Sequence, residues 1–469
     1  MHAISRILCA TSVVAALAIP ATLRADEQLP IKLTLHPMAE PSPSLKYRLL
    51  PTAIDLTSGN AAVPYGKVTA EQMNFFKKYA HTDIIDEWQE MPLEKIRLES
   101  ISLPASSILF LEQGAKCKYC DWQLPIGQVP YYTIQLPDAQ QSRSYSRILA
   151  VKARIEIANG NFDDAVKTFQ TNYALARNVA KGETLIHGLI GIAINGCMFP
   201  QITEFVQQPK APNLYWAFTL LPHPLITMSD ALDLESQAIE LSFPELRDLE
   251  NAQRNPVEWR DVFHRFAEQV VKLIETSNPP STPKKSREDL DKLCEESFPA
   301  AKRELIVAGM PAEKLDEMSV YQIALIHTLH TSHRLFDSAV KYYCLPYPQA
   351  MKGIESALDP AKRPLDEVGE IVPMAGQTLK VLEATRGAVA RSDRQIAALR
   401  VIEALRLHAA NNDGKLPDQL SEISEVPIPD DPVTTKPFDY RRHNDKASLQ
   451  GPTVGNVPFH YEISMAAVQ

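Results

Sequence analysis

The chain has 469 residues, room for two to four domains at roughly 100 to 200 residues each. Hydrophobic residues make up 45% and charged residues 22%, values that exclude a disordered or fibrous chain and predict that most of it folds. Lys and Arg number 48 against 57 Asp and Glu, a net charge of −9, so there is no broad basic surface and nucleic acid is excluded as a partner.

Residues 1–25, MHAISRILCATSVVAALAIPATLRA, set Arg6 before an apolar stretch from Ile7 to Ile19, then Pro20 and small residues up to Ala25. This order is that of a secretory signal, and the mature chain is expected in the periplasm or outside the cell. The apolar stretch is shorter than the roughly 20 residues that cross a bilayer, and Pro20 breaks it, so no stable membrane span is expected after cleavage. Loss of Arg6 and Arg24, with no acidic residue, deepens the negative balance. Five cysteines then remain, Cys117, Cys120, Cys197, Cys294 and Cys344, too few for a disulfide scaffold, so a hydrophobic core must carry the fold.

Residues 26–60 carry Pro30, Pro37, Pro41, Pro43 and Pro51 and predict an extended strap, with one short strand in LPIKLTLHP. From residue 61 to 276 the apolar spacing is helical, first in Met73, Phe75, Phe76 and Tyr79, then in Ile84, Ile85 and Trp88. Cys117 and Cys120 stand at CxxC spacing after the helical run SSILFLEQGAK. A local structural disulfide or two buried thiols is the leading reading; redox catalysis and metal binding are the others, against which stand the missing second CxxC and the aspartate at position 121.

Residues 144–180 read as two helices joined by Asn159-Gly160-Asn161. Ile148, Leu149, Ala153, Ile155 and Ile157 mark the first; Ala165, Phe169, Tyr173, Ala176 and Val179 mark the second, whose first turn holds Asp163 and Asp164 where the helix dipole favours negative charge. The small, turn and aromatic positions Ala153, Gly160, Phe162, Ala165 and Phe169 resemble a tetratricopeptide repeat, with Lys152 and Glu156 departing from its apolar pattern. Such units stack in threes or more, which the resemblance assigns to helical pairs at 61–116 and 184–207. Gly188, Gly191 and Gly196, in the apolar stretch 185–199, are expected to permit close helix packing.

Helices are predicted at Ala231–Leu241 and Val257–Ile274, the latter capped by Asn255 with Pro256 at its first position. SNPPSTPKK at 277–285 is the expected linker to a second helical block at 286–393, which holds a long helix from Thr378 to Asn411. Within that block His327, His330 and His333 recur every third residue, with Asp337 four further on. On a helix they drift by about 60° per step, so two of them with another ligand form a candidate zinc site; a polar seam, with Asp337 accepting from His333, is the structural alternative.

From Arg394 onward a helix with Ile396, Leu399, Ile402, Leu405 and Leu407 ends at Asn411-Asn412-Asp413-Gly414. A second short helix is expected at Leu416-Pro417-Asp418-Gln419-Leu420, and strands near Phe438–Arg441 and Phe459–Ile463. This order over 394–469 resembles the C-terminal part of type II secretion pseudopilins. By that resemblance Asp430, Asp431 and Asp439 form a candidate calcium site, as hard oxygen ligands do. Signal, LKYRLLP strap, helical unit and tail together resemble a family of large exported bacterial proteins of uncharacterised activity.

GxSxG, Walker and GxGxxG patterns are absent from the sequence. The expected fold is therefore mostly α, an irregular tetratricopeptide-like helical layer with a small α/β C-terminal tail. The expected function is non-catalytic binding or scaffolding of a protein or peptide partner outside the cytoplasm, without a cofactor unless zinc or calcium occupies these sites. The alternatives are a metal-assisted enzyme using His327, His330 and His333, or an envelope component of secretion.

Overall fold

The computed structural model describes residues 30–78, 83–99, 101–277, 286–359, 368–369, 371–372 and 375–466. The expected signal at 1–25, and the expected linker apart from Ser277, lie outside these residues. The chain is mostly helical, 59%, with 16 α-helices and a small C-terminal sheet among the described residues.

After β1 (Ile31–Leu35) and β2 (Thr57–Asn60) come α1 (Ala62–Lys78), α2 (Asp83–Glu90), α3 (Leu93–Leu98), α4 (Ala105–Ala115) and β3 (Cys117–Tyr119), which pairs in parallel with β2. A 3-10 turn at Tyr131–Thr133 precedes α5 (Pro137–Ala158), α6 (Phe162–Ala180) and α7 (Leu185–Val206). Shorter helices follow, α8 (Tyr215–Thr219), α9 (Ser229–Ser236) and α10 (Ala238–Ser242), so the single helix expected at 231–241 is broken at Gln237. Then come α11 (Pro256–Ser277), α12 (Arg287–Val307), α13 (Ala312–Asp316), α14 (Val320–Val340), α15 (Tyr347–Leu358), α16 (Ala375–Asn411), β4 (Asp439–His443), β5 (Lys446–Val454) and β6 (Val457–Met465).

Two compact units interleave along the chain. The described residues of 124–135 and 232–386 form the first; those of 20–123, 136–231 and 387–469 form the second. The sequential division at 277–285 does not mark these units, because proline and serine reveal a loop but not which elements share a core.

In the second unit α5, α6 and α7 pack on one another, with α2 and α3 against α5 and α4 against α6. The turn between α5 and α6 forms as expected: Gly160 takes a φ of +73°, and the N–H groups of Gly160 and Asn161 close onto the carbonyls of Ile157 and Glu156. Phe162 and Phe169 meet Phe205 edge to face at centroid distances of 5.5 and 5.4 Å. The polar departures Lys152 and Glu156 are matched by Thr168: Lys152 Nζ donates to Glu156 Oε1 (2.6 Å) and Thr168 Oγ1 (2.8 Å), and Thr168 Oγ1 donates to Glu156 Oε2 (2.7 Å). A closed trio of this kind satisfies its own polar atoms between α5 and α6.

At Gly191 α7 lies close against α6, since a Cβ there would lie 2.6 Å from the Ala176 carbonyl oxygen, whereas one at Gly196 meets nothing within 4 Å. Gly191→Ala is therefore expected to lower stability by about 1 to 3 kcal/mol. Gly196→Ala is expected to be neutral or to stabilise by up to about 1 kcal/mol through helix propensity. Paired urea titrations of the two variants read the difference.

The second unit's four-stranded sheet has the order β1-β6-β5-β4, with β1 parallel to β6 and the other pairs antiparallel. Leu33 and Leu35 of β1 and Tyr461 and Ile463 of β6 alternate inward and share the core with Leu399, Ile402 and Leu405 of α16. The expected short helix at 416–420 is only a 3-10 turn, Leu420–Glu422. In the first unit α14 packs against α11, α12 and α15, around Trp259, Phe263, Phe266, Leu305 and Leu325. As expected, Asn255 caps α11: its Oδ1 accepts the N–H groups of Val257 and Glu258, each at 3.0 Å.

Candidate functional site

The helices of the second unit hold an extended stretch of this same chain mainly by its backbone. Thr34 N–H donates to Gln207 Oε1 (3.0 Å), Arg406 Nε donates to the His36 carbonyl (3.1 Å), and Met38 N–H donates to the Arg406 carbonyl (3.0 Å). Further along, Gln170 Nε2 donates to the Arg48 carbonyl (3.1 Å) and Leu49 is buried. Contacts of this type fix direction and spacing while leaving side-chain identity largely open.

At the far end the stretch meets the first turn of α6. Tyr47 Oη donates to Asp163 Oδ1 (2.6 Å) and Lys46 Nζ to Asp163 Oδ2 (3.2 Å). The Tyr47 hydroxyl, seconded by Lys46, holds the Asp163 carboxyl below its ordinary range, while burial raises the Tyr47 phenol. Beside this contact lies an open cleft of about 340 Å³ between Tyr47, the turn at 160–164, Lys210 and Pro212. It has room for a short stretch of side chains, and Asp164, paired with Lys167 at 2.9 Å, stands at its rim.

In the first unit α14 carries the three predicted histidines, and each goes its own way. His327 is buried with Nε2 2.8 Å from Glu304 Oε2 on α12; His333 Nε2 lies 2.9 Å from Glu240 Oε1 on α10, not against Asp337; His330 is exposed. Partial desolvation against its neighbours, then the Arg334 charge, lowers the His330 pKa. Glu240 raises that of His333; burial raises Glu240 itself, but the His333 contact and its own backbone N–H bring the net shift below the ordinary carboxylate range. The row thus forms a polar seam to two different helices in place of a shared metal centre. Among the described residues no group of three or more His, Cys, Asp or Glu is gathered as metal ligands.

A polar group that sequence reading missed gathers His264, Asp291 and Tyr321 from α11, α12 and α14. Asp291 Oδ1 is 2.7 Å from His264 Nε2, and burial together with the hydrogen bond to Asp291 pushes the Tyr321 phenol up to about 12. Cys294, one turn along from Asp291, is fully buried and its thiol is pushed up to about 12 by that burial. A thiol held protonated in this way is a packing group and not a nucleophile.

Cys117 and Cys120 are both free thiols. Cys117 Sγ donates to the Gln113 carbonyl (3.4 Å), and burial pushes Cys120 up to about 12. Cys117 lies in β3, which Cys120 directly follows; three steps of extended chain separate Cα atoms by about 10 Å, beyond the roughly 7 Å limit for a bridge. In the C-terminal region Asp431 is taken by Arg394 and Asp439 by Arg441, at 2.9 Å each, so two of the three aspartates singled out for calcium, all but Asp430, face cations of the chain itself. Comparison with family models, with curated proteins and with solved structures finds no match to this chain.

Proposed function

We propose that this is a non-catalytic exported protein whose irregular, tetratricopeptide-like helical layer binds or scaffolds extended polypeptide outside the cytoplasm. The observation that carries the reading is the manner in which α6, α7 and α16 already hold residues 34–50: main-chain hydrogen bonds with Gln207, Arg406 and Gln170, two buried leucines, Leu35 and Leu49, and a tyrosine-lysine pair on Asp163. The open cleft beside Tyr47 extends that track with unfilled space. Helical layers present such faces because stacking consumes one side of each pair and leaves the other to solvent.

The test is fluorescence anisotropy of the full chain with labelled proline-containing peptides of 10 to 15 residues that bear a Lys-Tyr pair. Dissociation constants on the order of 1 to 100 μM are expected, with Asp164→Lys at the cleft rim weakening them about 10-fold through charge reversal. Absence of binding up to millimolar protein, for every peptide in the set, would overturn the reading.

A further inference from the structure

Three separate segments of the second unit bound the cleft beside Tyr47, and each is anchored from behind. In the turn between α5 and α6 the N–H groups of Gly160 and Asn161 close onto helix carbonyls, and the Phe162 ring meets Phe205 edge to face at 5.5 Å. Tyr47 is fixed through its hydroxyl on Asp163 (2.6 Å). The segment after α7 is tied on both sides of Pro212: the buried Ala211 gives its carbonyl to Arg406 Nη2 (2.6 Å), and Asn213 Nδ2 donates to the Glu403 carbonyl (2.8 Å). Walls held in this way leave a space of about 340 Å³ already shaped before anything enters it.

The charges around this space are not balanced. Asp163 has Lys46 at 3.2 Å and Asp164 has Lys167 at 2.9 Å, so each carboxylate is matched by a lysine of the chain. Lys210 lines the cleft, is exposed, and has no counter-ion among the described residues. Its φ is +69°, a left-handed backbone that glycine or asparagine adopts with less strain than lysine. A cation thus stands where the backbone alone would select a different residue, the kind of local conflict that function maintains. Tyr47, Phe162 and Pro212 supply the apolar surface beside it. One uncompensated cation next to rings and a proline suits an anionic group joined directly to a side chain, which every polypeptide carries at its C-terminal residue.

We propose that the cleft captures the free C-terminal end of an extended polypeptide, with Lys210 pairing to the terminal carboxylate while Tyr47, Phe162 and Pro212 pack the last side chain, a role that rests on the polypeptide-binding reading given for this unit. A terminal carboxylate is independent of sequence, so such a cleft selects ends, as the main-chain contacts to residues 34–50 select extended backbone. The pair lies at the surface and is therefore weakened by salt.

Fluorescence anisotropy of the full chain tests this with proline-containing peptides that end in Lys-Tyr and are labelled at the N-terminus. Each is made as the free acid, as the carboxamide, and as the free acid extended by three glycines. The wild type is expected to bind the free acid about 5-fold more tightly than the other two forms at low salt, the scale of one exposed ion pair. Lys210→Gln should bind all three alike, at the wild-type affinity for the carboxamide, and Lys210→Arg should keep the preference. Equal binding of the three forms by the wild type, or a preference that persists in Lys210→Gln, would overturn capture of the terminus and leave the polypeptide-binding reading standing. Failure of every form to bind up to millimolar protein would overturn both.

Discussion

Arg406→Ala is expected to lower the stability of the second unit by about 5 to 7 kcal/mol and to expose residues 30–50 to proteases. Arg406 and Glu403 are both fully buried, with Nη1 2.9 Å from Glu403 Oε2. The same guanidinium donates from Nε to the His36 carbonyl (3.1 Å) and from Nη2 to the Ala211 carbonyl (2.6 Å), so one side chain ties the extended N-terminal stretch and the segment after α7 to α16. Alanine leaves a buried carboxylate without its cation, a loss of about 3 to 5 kcal/mol, and two carbonyls without donors at about 1 kcal/mol each. Against a total of about 5 to 15 kcal/mol for an ordinary domain, the variant stands at the edge of unfolding.

The pH dependence of that variant follows from the same contacts. Burial raises the Glu403 carboxyl, and the Arg406 charge is the largest influence pulling it down. Without Arg406 the folded form must hold Glu403 protonated, so the folded pKa stands well above the unfolded one. Stability is then retained at low pH and lost as pH rises from the unfolded value toward the folded one. Urea unfolding at pH 5 and 8 should show Arg406→Ala much weaker at pH 8. The double variant Glu403→Leu with Arg406→Met should recover most of the loss, because apolar groups of similar volume leave no charge unsatisfied. Equal stability of Arg406→Ala and wild type at both values would refute the role given to the pair.

The features readable from sequence were those written in neighbouring residues. Asn159-Gly160-Asn161 marked its turn, Asn255 and Pro256 marked the start of α11, and the alternation around Leu33 and Leu35 marked β1. What joins distant parts left no local trace. β1 lies parallel to β6, pairing Leu33 with Ile463, and no period in either segment announces a partner so far along the chain. β5 escaped notice because Gly451 and Pro452 interrupt it, residues that ordinarily argue against a strand. The histidine row was visible as a spacing on α14, but its outcome depended on Glu304 and Glu240, carboxylates brought in by other helices. His264, Asp291 and Tyr321 had no spacing to see, since one comes from each of three helices.

Arg394 supplies the other large effect, in the C-terminal part of the second unit. Its Nε and Nη2 meet Asp431 Oδ1 and Oδ2 at 2.9 Å each, Nη1 donates to the Pro452 carbonyl (2.6 Å), and the guanidinium lies 4.8 Å from the centroid of the Phe459 ring. Asp431 Oδ1 also accepts the Val433 N–H (2.9 Å), and a Cβ on Gly451 would press to 3.1 Å from Asp431 Oδ2. One planar cation therefore fixes α16, the turn at 431–436 and the strands β5 and β6 in a single arrangement. Lysine has neither the fork nor the flat face to do so. Arg394→Ala is expected to cost about 3 to 5 kcal/mol, and Arg394→Lys about 2 to 3 kcal/mol from the lost second bond, carbonyl and ring contacts. In both, hydrogen exchange should quicken first in β5 and β6 while α5, α6 and α7 stay protected. Because Asp431 is already neutralised by this cation, calcium and chelator should leave the wild-type melting temperature within about 1 °C of each other, since only a ligand that favours the folded state raises it. A calcium-dependent rise of several degrees that persists in Asp439→Asn and vanishes in Asp431→Asn would show the carboxylate exchanging Arg394 for the ion, and would refute the clamp.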